Sequence, residues 1–110
     1  MKRIFRPSPS EGEGSPNFEG KDHDAGLSII LVDAGPGNGP RLHRHDYEEV
    51  FVVQQGTVTF TVGDVQLEAH PGDVAVVPAG VPHGFVNSGS GQLRMTAVHH
   101  SPEFVTDWLG

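Results

Sequence analysis

Apolar residues occur along most of the chain in short runs separated by turn residues. GLSIILVDA at 26–34 is rich in β-branched and aliphatic residues and ends at the turn cluster GPGNGP, while TVTFTV at 57–62 alternates strictly. Such runs, bounded by glycine and proline, predict about eight short strands and almost no helix. The clearest predicted strands cover residues 26–34, 49–54, 57–62, 65–69, 73–77, 83–87 and 92–99. This pattern predicts an antiparallel sandwich or barrel of the double-stranded β-helix (jelly-roll) type.

The two ends of the chain differ from this strand pattern. Residues 7–20, PSPSEGEGSPNFEG, contain too little apolar surface to offset the entropy of ordering, so we predict a flexible N-terminal arm over 1–25. At the other end Ser101 can cap a helix, Pro102 suits its first position and Glu103 its first turn. We therefore predict one short C-terminal helix within a single domain spanning 26–110.

Composition narrows the class of protein. With 110 residues the chain has enough sequence for one core, and its formal charge of −7 argues against nucleic acid and anionic membrane surfaces. It contains no cysteine, which excludes disulfides and thiolate metal sites. The N-terminal MKRIFRPSPS lacks the apolar stretch of a secretion signal, so we expect a cytoplasmic protein.

Candidate chemistry is concentrated in RLHRHDYEEV at 41–50. In an extended chain His43, His45 and Glu49 share one face, because side chains of like parity point to the same side of a strand. Glu48 would replace Glu49 only if a bulge shifted the register. His83, which follows the rigid loop PAGVP, is the natural fourth ligand. Imidazoles with a carboxylate suit a divalent transition metal (Mn, Fe, Co, Ni, Cu or Zn).

Other residues are candidates for the substrate pocket. Tyr47 follows the parity of the ligands and either approaches the open coordination positions or packs at the rim. Phe51 and Phe85 belong to the core and also form the wall of any pocket near the metal. Of His99 and His100, the one that faces inward could support the site or carry protons, but we expect both to be exposed.

Two longer motifs resemble those of the cupin superfamily. The first cupin motif, G(X)5HXH(X)3E(X)6G, is matched by Gly37, His43, His45, Glu49 and Gly56. The second, G(X)5PXG(X)2H(X)3N, is matched by Gly72, Pro78, Gly80, His83 and Asn87. Both are complete and in the right order, and the resemblance covers nearly all of residues 26–99.

The resemblance implies a small, single-domain, metal-binding cupin of the cupin 2 type. It further implies a barrel that holds one divalent metal on His43, His45, Glu49 and His83, and a homodimer. Because the family carries many unrelated activities, two functions stay open. The first is a metal-dependent enzyme (dioxygenase, isomerase or cyclase) acting on an oxygen-rich small molecule; the second is a non-catalytic metal or ligand-binding or sensing module. Arg41, which could meet an anionic substrate, is expected to be a surface residue.

Overall fold

The computed structural model describes residues 3–9 and 14–110, which form two antiparallel sheets and one turn of 3-10 helix at Gly20–His23. The strands are β1 (Ser8–Pro9), β2 (Pro16–Phe18), β3 (Ser28–Ala34), β4 (His43–Arg44), β5 (Glu49–Gln55), β6 (Val58–Val62), β7 (Val65–Ala69), β8 (Val74–Val77), β9 (His83–Asn87), β10 (Leu93–His99) and β11 (Asp107–Trp108). No helix among these residues is long and apolar enough to cross a membrane.

The strand order confirms the predicted fold class. One sheet has the order β1-β2-β3-β10-β5-β8 and the other β11-β4-β9-β6-β7. Strands that follow one another in sequence therefore often lie in different sheets, as in a double-stranded β-helix. All seven clearest predicted strands are present, with ends that move by at most two residues.

The core lies between the two sheets and follows from strict alternation along the strands. In β10 every second residue is buried, and the buried side chains are Leu93, Met95, Ala97 and His99. The residues between them face outward, because successive side chains in a strand point to opposite sides. The apolar core comprises Val32, Phe51, Val53, Val58, Phe60, Ala69, Val77, Leu93, Met95 and Ala97.

The predicted flexible arm has regular structure in its second half. Pro16–Phe18 pairs with β3, and Phe18 stacks on His23 at a ring separation of 4.6 Å. Buried Gly20 donates its N–H to Ser28 Oγ at 3.0 Å. This pairing is possible because β3 offers a strand edge to a segment of low intrinsic β propensity. Residues 1–2 and 10–13 of the predicted arm lie outside the described residues.

The predicted C-terminal helix is not found in the described part of the chain. Ser101 Oγ does accept the Glu103 N–H at 3.2 Å, as a capping residue would, but no helix follows. Instead Asp107–Trp108 pairs with β4. Backbone pairing with an available strand edge outweighs the weak propensity of a short helix, which is marginal by itself.

Candidate metal centre

Three segments bring the four predicted metal ligands together at one end of the barrel. His43 lies on β4, His45 follows it, Glu49 begins β5 and His83 begins β9. All four side chains are buried, and their ligand atoms lie within 4.8 Å of one another. Donors about 2.1 Å from a metal are at most about 4.2 Å apart, so an ion needs only a small contraction of this group. Glu48 is exposed, as the parity of the strand predicts.

Backbone pairing holds the distant His83 against the first three residues. His43 and His83 are register partners across β4 and β9. In the loop before His83, Gly80 donates its N–H to the carbonyl oxygen of His45 at 2.7 Å. Gly80 has φ of +80°, a conformation that favours glycine. The loop that delivers the fourth ligand is thus hydrogen-bonded directly to the segment that carries the first two.

Backbone carbonyls fix the tautomer of the three histidines. Nδ1 of His43, His45 and His83 lies 2.7, 2.8 and 2.9 Å from the carbonyl oxygens of residues 41, 105 and 81. A carbonyl only accepts, so each Nδ1 carries the proton and donates it. In the neutral imidazole Nε2 then keeps its lone pair, which is the arrangement of a metal-binding histidine.

The Nε2 atoms are directed at one carboxylate. Glu49 Oε1 lies 3.2 Å from His45 Nε2 and 3.1 Å from His83 Nε2. When these histidines are neutral, each contact sets a lone pair against a carboxylate oxygen, and both groups are acceptors. His45 Nε2 is buried and lacks a properly aligned hydrogen-bond partner. Such a set of facing acceptors calls for a cation between them, either protons or a metal.

The electrostatics of the metal-free site agree with this geometry. Burial would raise the pKa of Glu49, but contacts with three histidines outweigh it and hold that pKa well below its usual range. Burial lowers the pKa of His43. Burial acts the same way on His45, yet contacts with Glu49 and the Val105 carbonyl outweigh it, so its pKa is raised. These contacts therefore favour the anionic form of Glu49 and the protonated form of His45 in the absence of metal.

A fourth histidine, His99, belongs to this cluster. It is 3% exposed, contrary to the expectation that both His99 and His100 face solvent; only His100 does. His99 Nε2 lies 3.0 Å from Glu49 Oε2, and Nδ1 lies 2.7 Å from the Tyr47 hydroxyl. The alternation of β10 places odd residues inside, which was the signal available in the sequence.

Tyr47 supports the cluster from behind and does not line the cavity. Its ring stacks on His45 at 4.8 Å with an angle of 12° between the planes. The hydroxyl accepts the Val105 N–H at 3.3 Å and lies beside His99. Burial raises the pKa of Tyr47 to about 12, so it stays a neutral hydroxyl. Of the two roles considered for Tyr47, the structure places it in packing contact with the histidines.

A cavity of about 770 Å³ opens beside the metal-ligand group. The predicted pocket residues Phe51, Phe85 and His99 line it, together with His43, His45 and Glu49. Its volume lies within the range of about 300–1,000 Å³ that is typical of small-molecule sites. The arrangement can therefore hold a ligand against a metal-bound position.

The C-terminal segment also lines this cavity. Val105 supplies the carbonyl bonded to His45, and Phe104 packs edge-on against His99 at 4.9 Å. Trp108 lies 4.9 Å from His43 between ring centres. The pairing of β11 with β4, in place of the predicted helix, carries these side chains to the site.

Comparison with known proteins agrees with this fold and site. The family model described as Cupin domain matches residues 30–99, so the chain belongs to the cupin family. An uncharacterised protein of Streptomyces coelicolor is 32% identical over 92% of this chain and 98% of its own length. A protein with a double-stranded β-helix domain from Klebsiella pneumoniae superposes with a TM-score of 0.79 at 22% identity, covering 100% of this chain and 99% of that one.

Part of a larger enzyme has the same fold. A mutant of Bacillus subtilis oxalate decarboxylase superposes with a TM-score of 0.80 at 22% identity, covering 93% of this chain and 30% of the enzyme. At this identity the likeness shows the fold alone. The chain is thus a small cupin with a buried histidine and glutamate group that could hold a divalent metal.

Proposed function

We propose that this cupin binds one divalent transition metal through His43, His45, Glu49 and His83. The observation that carries the proposal is the buried group of four side chains whose ligand atoms lie within 4.8 Å of one another, with Nδ1 of each of its histidines bonded to a backbone carbonyl. This donor set suits Mn, Fe, Co, Ni, Cu or Zn, and metal availability decides among them. A metal would also relieve the contacts between facing acceptors.

We further propose that the protein is an enzyme acting on an oxygen-rich small molecule by oxygenation, isomerisation or cyclisation. When bound, the metal supplies a Lewis acid that polarises a coordinated oxygen and, if it is iron or manganese, the means to activate dioxygen. Backbone hydrogen bonds of this chain orient the ligand histidines, and Phe51, Phe85 and Phe104 supply apolar wall beside them. His99 Nε2, which lines the cavity, is the nearest buried group that could hold a proton beside Glu49.

The test begins with elemental analysis of protein purified without added metal. Protein loaded with Fe(II) or Mn(II) is then mixed with a panel of metabolites, and dioxygen uptake and spectral changes are followed. We expect stoichiometric metal and turnover that is lost in His43→Ala. A matched control, His70→Ala, removes an exposed histidine and should keep both. Metal binding without turnover by any metal form would favour a binding or sensing module instead.

We also propose that the protein is a homodimer, as the resemblance to cupins led us to expect. Two cross-strand rows on the outer face of the six-stranded sheet support this, formed by Val76, Val50, Val98 and Ile29, and by Val74, Val52, Thr96 and Leu31. Val74 and Val76 are 58% and 54% exposed, and a continuous apolar face of this kind marks an interaction surface. Light scattering should give a dimer that dissociates in Val76→Lys, whereas Leu67→Lys on the other sheet leaves it intact.

A further inference from the structure

We infer that the substrate is a neutral molecule with an apolar, ring-bearing body and with its metal-binding oxygens gathered at one end. This inference rests on the proposed metal site and narrows the class of small molecule that the cavity accepts. It depends on the cavity wall, on the charges around it and on its size.

The wall of the cavity is divided into a small polar area and a larger apolar one. The imidazoles of His43, His45 and His99 and the Glu49 carboxylate form the polar area beside the proposed metal, and Ser15, Asp33, Asn38 and Thr106 add further polar side chains to the wall. The apolar area is larger, and its bulkiest side chains are Ile30, Val32, Phe51, Phe85, Phe104 and Trp108. A ligand that fills the cavity must therefore present oxygen to the metal and hydrocarbon to the rest.

Three aromatic rings shape the apolar area. Phe51 and Phe85 meet edge to face at 5.7 Å, and Phe60 packs behind both at 5.0 and 5.9 Å. This ring cluster is rigid because Phe60 and Phe51 are 1% and 2% exposed. A flat ring is the ligand shape that makes favourable edge or offset contacts with such a surface.

The charges around the cavity disfavour an anion. No Lys or Arg lines it among residues 3–9 and 14–110, and the acidic residues that do are Asp33 and Glu49. Arg41, the cation closest in sequence to the ligands, lies with its guanidinium 4.6 Å from the Trp108 ring centre and is not part of the wall. A divalent metal with Glu49 has a net charge of +1, while Asp33 is exposed and has its own partner in Arg94, whose Nε lies 3.7 Å from Asp33 Oδ1. A small dicarboxylate would find no side-chain cation for its second charge, and leaving that charge unpaired is costly.

Size supports the same conclusion. A cavity of about 770 Å³ suits a ligand much larger than a two-carbon acid. A small acid would leave the apolar wall in contact with water. An aromatic body that displaces this water gains about 25 cal/mol for each Å² of apolar surface buried.

The experiment uses the Zn(II)-loaded protein, because zinc lacks redox chemistry and the ligands stay intact. Zinc binding is measured first by calorimetry; 4-phenylcatechol, catechol and oxalate are then titrated separately. We expect 4-phenylcatechol to bind at least tenfold more tightly than oxalate and about tenfold more tightly than catechol, since its second ring is buried. Quenching of Trp108, the single tryptophan of the chain, reports directly on occupancy of the cavity.

Variants of Phe85 test whether the apolar wall of the cavity contributes to the binding of 4-phenylcatechol. Phe85→Ala should lower the affinity for 4-phenylcatechol about tenfold and leave the affinity for oxalate unchanged. Phe85→Leu should largely retain the binding of 4-phenylcatechol. Phe18→Ala is the matched control, because it removes the same ring outside the cavity. Oxalate binding as tightly as 4-phenylcatechol, or equal effects of Phe85→Ala on both, overturns the inference while the metal site stands. Absence of zinc binding removes the metal site and this inference together.

Discussion

The two ends of the barrel interior are built from the same strands and differ completely in chemistry. Along β5 the inward residues run from Glu49 to Phe51 and Val53, and along β10 they run from His99 to Met95. Both strands therefore pass from a cluster of ionisable groups at one end to close-packed hydrocarbon at the other. The polar side chains at the metal-binding end are as fully buried as the apolar ones.

This difference shows that the two ends have separate physical roles. The apolar end buries surface and supplies the free energy of folding. The metal-binding end gathers facing acceptors and a buried carboxylate, which cost free energy until a cation is bound. Asn87 shows how the apolar end treats a polar group, because both its amide and its carbonyl are satisfied by nearby backbone. The metal-binding end leaves Nε2 of His45 and His99 without aligned partners.

The largest effect should come from Phe60→Ala at the apolar end. Phe60 is 1% exposed and contacts both Phe51 and Phe85, so the variant should lose about 3–5 kcal/mol of the free energy of unfolding. Urea unfolding of the metal-free protein measures this. Leu67→Ala, at the register partner of Phe60 but 54% exposed, should lose less than about 1 kcal/mol. Equal losses would contradict the division of roles.

Next in size is His83→Ala at the metal-binding end. Removing one of four ligands should lower Zn(II) affinity more than about 100-fold, beyond the effect typical of an outer hydrogen-bonding partner. Competition with a chromophoric chelator measures the affinity. The thermal stabilisation produced by added zinc should disappear as well. Retention of both properties would exclude His83 as a ligand.

A smaller effect is expected for Tyr47→Phe. The ring that stacks on His45 is kept, and only the hydroxyl between Val105 and His99 is lost. Without this hydroxyl the imidazole of His99, which contacts the metal ligand Glu49, is no longer held in one orientation. We therefore expect the affinity for zinc to fall about tenfold. Thr59→Val, which removes a hydroxyl on the outside of the barrel, serves as control. An unchanged affinity would show that His99 needs no support from Tyr47.

The smallest effect is a pH dependence of metal affinity. His45 has a raised pKa, so the metal-free site takes up a proton as pH falls through that value, and metal must displace it. Affinity should be constant above the raised pKa and should fall by up to about tenfold per pH unit below it. Calorimetry in buffers of different ionisation enthalpy should detect the proton released near neutral pH. No release would mean that His45 is neutral before metal binds.

Local patterns in the chain predicted much of the site correctly. Parity along an extended segment selected Glu49 over Glu48, and the structure buries the first and exposes the second. Alternation predicted the seven main strands and the inward position of Phe51 and Phe85. These predictions succeed because alternation is a property of the backbone over a few residues and needs no knowledge of distant partners.

Predictions failed where the neighbour was distant in sequence. Ser101 and Pro102 have the pattern of a helix start, yet the segment that follows them pairs with β4 some 60 residues earlier, at the register Asp107 with Arg44. His99 was expected in solvent because it ends a strand; the alternation of β10 indicated an inward position, but its partners Glu49 and Tyr47 are distant in sequence. The pairing of Pro16–Phe18 with β3 likewise could not be predicted from the nearby sequence.

The sequence by itself determined the fold class, the inward face of β5 and the four residues offered to a metal, since these depend on spacing along the chain. The tertiary structure decided that His99 and Tyr47 join those residues, and that the C-terminal segment lines the cavity. The reason is physical: these contacts exist only after loop closure has brought separate strand edges together, and their geometry is a property of that assembly.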